Sequence, residues 1–353
     1  MTEIEQVHSS RAEARATLQE ALSEIKRVIV GQDAMLERLL VSLLAGGHVL
    51  LEGVPGLAKT LTVKTLASVL GGSYGRIQFT PDLVPADLVG TRVWRPDTAT
   101  FDTELGPVFH NFVLADEINR APAKVQSALL EVMQEEQVTI GGTSYAVPLP
   151  FIVMATQNPI ESEGTYPLPE AQVDRFLMKI IVDYPSLGEE AAVVGRSLVA
   201  PVEVRECLAL ADLERHGRTA ASIAADREII AYSVALADAT RHPAKYGLGD
   251  LAGMIEFGAS PRGPIGLVQA ARVLALLRGR GSVQSQDIRD LAPDVLRHRI
   301  VLSYDALSDG VTVDQLLERI LAAVQAPGAG RLIGADPSEE ETKPFRVGEA
   351  HAS

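Results

Sequence analysis

The chain has 353 residues, with 46 Asp and Glu against 32 Lys and Arg and a formal net charge of -14. A hydrophobic fraction of 46% supplies a globular core and excludes a disordered chain, while the acidity disfavours non-specific nucleic-acid binding. The single cysteine, Cys207, excludes an intrachain disulfide and a multi-thiolate metal site, which fits a reducing cytoplasm.

The length predicts roughly two domains. An amphipathic stretch around Glu13 to Ile25 predicts a first helix, and Asp33 to Leu44 a second. The most apolar window, Leu36 to Val54, is broken by Glu37, Arg38, Gly46, Gly47, His48 and Glu52, so no membrane span is expected. The N-terminus shows no basic region followed by an apolar run, and no secretory signal is expected. His48 to Leu51 is a short apolar run that stops at Gly53, the pattern of a buried parallel strand, and a helix follows from Lys59 to Gly71-Gly72. Similar runs recur at Arg76 to Phe79, Phe112 to Ala115, Phe151 to Thr156 and Phe176 to Val182. Between them, Pro122 to Glu135 places Val125, Ala128, Leu129, Val132 and Met133 on one helical face. Strands alternating with helices predict a parallel sheet covered on both faces. Two hairpins interrupt the alternation, over Thr91 to Val108 and over Val138 to Val147 with Gly141-Gly142 at its centre. From Ser186 the strand signal disappears, and helices are expected over Glu189–Leu198, Ala225–Thr240, Arg262–Arg278, Gln286–His298 and Val313–Val324. Beyond Pro327 the composition turns to Gly, Pro and charge, and a disordered tail is expected.

Gly53-Val54-Pro55-Gly56-Leu57-Ala58-Lys59-Thr60 follows a strand and opens a helix. In that setting backbone N–H groups can surround a triphosphate, Lys59 can reach the β and γ phosphates, and the Thr60 hydroxyl can take a Mg²⁺ position. Ala58 replaces the usual glycine and should fit if that position has helical dihedrals. The alternative is an ordinary Gly-rich turn. Val113 to Glu117 ends a buried strand in two acids: Asp116 would hold Mg²⁺ through water and Glu117 would orient and polarise the attacking water. Asn158, after the next strand, reads either as a contact to the γ-phosphate or the lytic water, or as part of a polar turn before Pro159. Arg175 reads as a local partner of Asp174, and Arg262, after Ser260-Pro261, as a solvated arginine at a helix start.

Taken together, the stretches 53–60, 76–87, 114–135, 155–178, 258–263 and 292–304 resemble the MoxR family of AAA+ ATPases over about Val28 to Pro327. The resemblance implies an α/β fold: a P-loop NTPase core with a five-stranded parallel sheet, then an all-α lid. It divides the chain into a helical extension (1–27), a core (28–185) with hairpin inserts near 91–108 and 138–147, a lid (186–327) and a tail (328–353). It implies ATP bound through Gly31, Gln32 and the run from Gly53 through Val54, Pro55, Gly56, Leu57, Ala58, Lys59 and Thr60 to Leu61. Mg²⁺ would sit at Thr60 and Asp116. Asn158 becomes a sensor-1 candidate, Arg262 a sensor-2 candidate and Arg175 an arginine finger acting on a neighbouring subunit's ATP, with Arg120 a second inter-subunit candidate. The family pattern further implies a hexameric ring, a partner carrying a von Willebrand A domain, and chaperone-like maturation of protein clients, metal insertion included.

Two other readings share this chemistry, a magnesium-chelatase-like motor and a DNA or RNA translocase. A nucleic-acid motor needs cations on its pore hairpin to hold phosphate. Gln137 to Pro150 contains neither Lys nor Arg, and in the first insert Arg92 and Arg95 are outweighed by Asp97, Asp102 and Glu104, leaving no net basic surface. Neither a nucleic-acid partner nor an integral membrane segment is expected.

Overall fold

The computed structural model describes residues 3–159, 164–200 and 202–327. The expected tail and the 160–163 part of the 155–178 motif lie outside the described residues. In chain order the elements begin with α1 (Glu3–Val28), α2 (Asp33–Leu44), β1 (Val49–Glu52), α3 (Lys59–Val69), β2 (Tyr74–Gln78) and α4 (Pro85–Val89). An insert hairpin, β3 (Gly90–Arg95) and β4 (Thr100–Leu105), precedes β5 (Phe112–Asp116) and α5 (Ala123–Glu135). A second hairpin, β6 (Gln137–Ile140) and β7 (Thr143–Ala146), leads to β8 (Ile152–Gln157), α6 (Glu170–Val173) and β9 (Met178–Ile181). The remainder is α7 (Leu187–Ser197), α8 (Leu210–Ala221), α9 (Arg227–Arg241), β10 (Ile255–Phe257), α10 (Arg262–Leu277), α11 (Ser285–Leu296), β11 (Val301–Leu302), α12 (Tyr304–Ser308) and α13 (Val313–Ala323).

The five apolar runs form one parallel sheet in the order β2-β5-β8-β1-β9. Its central strands are buried on both faces, and that is why they read as continuous apolar runs rather than alternating ones. On one face α5 buries Val125, Leu129, Leu130, Val132 and Met133. Each such side chain contributes about 1.5–3 kcal/mol when fully removed from water. The opposite face joins α1, α2, α3 and the helices after α7 in one continuous apolar cluster. Through Ala14, Leu18, Ala21 and Ile25, α1 is part of that cluster, packed on α3, α8 and α10.

The second hairpin turns on Gly141 and Gly142, whose φ values of 57° and 86° match a two-residue turn that side-chain-bearing residues enter at a cost. The two hairpins touch, with the Thr103 and Tyr145 hydroxyls 3.0 Å apart. On the first, Trp94 meets Phe101 edge-on at 5.0 Å and the Arg92 guanidinium lies 4.8 Å from the Phe101 ring centre. Arg95 is paired with Asp102 and Glu104.

The region after Ser186 is not purely helical. β10 and β11 form a short antiparallel ribbon, and α8 is an additional helix. Strands of three and two residues are too short to show a period, and the buried stripe of α8, Leu213, His216 and Ala220, carries a histidine that disguises it.

Candidate active site

The phosphate-binding loop leaves β1, an interior strand between β8 and β9, and enters α3 at its positive end. Residues 55–61, Asp116, Glu117, Thr156 and Asn158 line one cavity of about 360 Å³ at the carboxyl ends of the strands. Five candidates from three separate motifs, Lys59 and Thr60, Asp116 and Glu117, and Asn158, therefore converge. The Lys59 ammonium donates to the Gly53 carbonyl across the loop. Burial lowers its pKa from the ordinary value, opposed by the charges of Asp116, Glu117 and Glu52.

Ala58 departs from expectation. Its φ of 57° and ψ of 16° are left-handed rather than helical, so the helix propensity of alanine does not explain its presence. Gly56, with φ 88°, provides the other left-handed turn of the loop. Left-handed alanine costs about 1–2 kcal/mol, which the surrounding loop must offset.

The acids are held by the neighbouring strands. Thr156 on β8 donates from its hydroxyl to Asp116 Oδ1 at 2.6 Å and accepts the Glu117 N–H at 2.8 Å. Glu117 itself is left-handed, with φ 58°. Two β2 side chains complete the arrangement. Arg76 donates to Asp116 Oδ2 at 2.7 Å, and Gln78 Nε2 donates to Glu117 Oε2 at 3.0 Å. Arg120 lies 3.0 Å from the same Glu117 oxygen. Sequence reasoning missed Arg76, Gln78 and Thr156 as site residues. The signal was available for the first two, because positions i and i+2 of a strand share a face and β2 pairs with β5.

A second cavity of about 230 Å³ lies beside Gln32, whose side-chain amide donates to the Asp183 carbonyl at 2.9 Å. Met35, Ile180, Ile181 and Tyr184 give it apolar walls.

Arg175 and Arg262 do not join the loop cavity. They line a separate cavity of about 120 Å³ with His48, Met133 and Gln134. Arg175 donates to the Leu130 carbonyl at 2.9 Å, not to Asp174, so the local ion pair is not formed. Asp174 instead reaches the helical region, where it accepts from Ser260 Oγ at 3.0 Å, Arg299 Nε at 2.9 Å and Arg262 at 3.4 Å. Among its polar contacts, Arg299 also donates to the carbonyls of Asp174, Phe176 and Leu177. Burial lowers the Arg299 pKa to about 10, against the opposing pull of Asp174.

A P-loop between a strand and a helix, paired acids at the end of β5 two strands away across β8, and a helical region behind them define a P-loop ATPase with a lid. Comparison with known proteins gives the family. Residues 48–178 match the ATPase family associated with various cellular activities (AAA), and residues 251–320 match an AAA lid domain. The chain is 56% identical over 311 residues to the protein named Chaperone MoxR1 of Mycobacterium tuberculosis, covering 88% of this chain and 82% of that one. It is 35% identical over 345 residues to Protein MoxR of Paracoccus denitrificans, covering 91% and 99%. A crystal structure of a Cytophaga hutchinsonii protein described as an ATPase superposes with a TM-score of 0.88 at 45% identity, covering 92% of this chain and 99% of that one. The chain belongs to the MoxR family of AAA+ ATPases and is an ATP-hydrolysing enzyme. No helix among the described residues is long and apolar enough to cross a membrane.

Proposed function

We propose that the chain works as a hexameric ring in the cytoplasm, hydrolysing ATP to ADP and phosphate to remodel or mature protein clients, metal insertion among them. A von Willebrand A domain protein is the proposed partner. The observation that carries the ring is the separation of Arg175 and Arg262 from the loop cavity of their own subunit. Arginines that stabilise transferring phosphate must reach it, so these two serve a neighbour's nucleotide. Their sharing one cavity supports a common trans role for both.

In this reading residues 53–61 and Lys59 hold the triphosphate, and the adenine lies toward Gly31 and Gln32. Glu117 orients and polarises water, and Asn158 contacts the γ-phosphate. The donor set of Thr60 hydroxyl and Asp116 carboxylate is all oxygen, as Mg²⁺ requires, with Asp116 acting through water. When bound, Mg²⁺ would neutralise phosphate charge. We place the functional boundaries at 1–27, 28–185, 186–327 and 328–353.

A protein client is favoured over a nucleic acid because Arg92 is stacked on Phe101 and Arg95 is neutralised by two acids, while the second hairpin has no cation. The name of the M. tuberculosis relative points the same way. The test is capture with Glu117→Gln, which holds ATP without turnover and should retain client and partner in an ATP-dependent manner. Salt-sensitive binding to single-stranded DNA, with DNA-stimulated hydrolysis, would overturn the protein-client reading.

A further inference from the structure

We infer that Asp174 is a positioning residue for the trans-acting arginines, joining the lid to the segment that carries Arg175 so that Arg175 and Arg262 are presented as one unit. The inference rests on the trans reading of those arginines. Four observations carry it. Asp174 immediately precedes Arg175 in the chain, between α6 and β9. Its carboxylate takes the Ser260 hydroxyl on both oxygens at 3.0 Å, and that same hydroxyl accepts the backbone N–H of Arg262 at 3.1 Å. Its Oδ2 also lies 3.4 Å from the Arg262 guanidinium. Behind it, buried Arg299 pairs with Oδ1 and donates to the carbonyls of residues 174, 176 and 177, fastening this segment to the end of α11.

The strengths of these contacts differ in a telling way. Arg299 is 7% exposed, and its contacts to Asp174 Oδ1 and the Phe176 carbonyl are 2.9 and 2.6 Å. Arg262 is half exposed and sits at the far limit of a hydrogen bond. The buried pair therefore fixes the carboxylate, and the carboxylate holds Arg262 loosely at its head group and more firmly through Ser260 at its backbone. A phosphate from a neighbouring subunit can compete for the Arg262 head group without disturbing the Arg299 contact. Asp174 itself touches no substrate. Its effect is orientation, and misplacement of a catalytic group by about 1 Å can cost on the order of 100-fold in rate.

The test is Asp174→Asn in the full chain, which keeps the shape and one acceptor but removes the charge. Expected results are unchanged binding of a fluorescent ATP analogue to the subunit's own site and a kcat lowered on the order of 10–100-fold, with KM for ATP preserved. The decisive measurement mixes subunits. Asp174→Asn has an intact ATP site and misplaced arginines, whereas Lys59→Ala has the reverse. Asp174→Asn alone is slowed and Lys59→Ala alone is inactive, and mixed assemblies should hydrolyse faster than the sum of the two. The control replaces Asp174→Asn by Arg175→Ala in the same mixture. If the control fails to recover, the trans reading is wrong. If the control recovers and the Asp174→Asn mixture does not, Asp174 acts on its own site and the positioning inference is overturned. Should Asp174→Asn fail to fold, Ser260→Ala removes only the hydroxyl link to Arg262. A wild-type kcat in that variant would overturn the inference, and a lowered kcat that is recovered by mixing supports it.

Discussion

Ala58 has a backbone conformation that its side chain resists, where the phosphate loop enters α3. Replacing it by glycine removes about 1–2 kcal/mol of left-handed strain, against the extra entropy that glycine gives the unfolded chain, about 0.4–1 kcal/mol. Ala58→Gly should therefore raise nucleotide-free stability by about 1 kcal/mol in urea denaturation, and a less stable variant would refute the strain argument. Lys59 and Glu117 separate by what they leave intact. Lys59→Ala removes the cation facing the phosphates and should abolish nucleotide binding. Glu117→Gln preserves shape and an oxygen that can accept from Gln78 but removes the charge, so binding should persist while turnover falls on the order of 10²–10⁴-fold. Equilibrium nucleotide binding beside steady-state hydrolysis distinguishes them, and a Glu117→Gln enzyme that turned over normally would remove that residue from the chemistry. The triplet of Lys59, Asp116 and Glu117 was legible in the sequence because each lies at a strand end or helix start within a short contiguous motif. The partners of Asp174 were not legible, since Ser260 and Arg299 are brought to it only by folding.

His48 joins three elements at the entrance to β1. Its Nδ1 accepts the Val153 N–H of β8 at 3.0 Å, so the ring proton lies on Nε2, which donates to the Met133 carbonyl of α5 at 3.1 Å. Burial lowers its pKa to about 4, and the Met133 contact opposes the shift only in part. The unfolded chain takes up this proton below about pH 6.5 while the folded chain resists until about 4. Its contribution is thus complete above about pH 6.5 and declines as pH falls toward 4, by about 1.4 kcal/mol per pH unit. His298 is shifted the same way, first by burial and then by Arg299, and steepens the decline. Urea denaturation at pH 7 and pH 5 should show the loss, with a shallower pH slope in His48→Gln; equal slopes would show that His48 does not titrate as described. The same scale shows what a sequence can reveal about elements. The sheet was legible because strands buried on both faces become uninterrupted apolar runs bounded by turn residues. The β10–β11 ribbon was not, because its two segments, of three and two residues, are too short to carry a pattern. Gln126 shows the converse on α5, a polar residue buried on an apolar face because it donates to the carbonyls of Ile118, Ala121 and Tyr166.

At the scale of the whole molecule, a single subunit carries a nucleotide cavity and two arginines that do not line it. The lid and core share one continuous apolar cluster, so closing the lid far enough to bring Arg262 onto its own P-loop would require opening that cluster. Supplying the arginines from a second copy requires no such disruption. This asymmetry predicts a specific concentration dependence. Hydrolysis per subunit should rise with protein concentration as copies associate, whereas nucleotide binding per subunit, if the proposed loop cavity holds it, should stay constant. Arg175→Ala should bind ATP normally yet stay at the low, dilute-limit rate at every concentration, a deficit on the order of 10³-fold in the assembled state. Sedimentation measured at the same concentrations connects rate to assembly. If subunits shown to be monomeric hydrolysed ATP at the full rate, the arginines would have to act within one chain, and the lid would have to move across the cluster that now holds it.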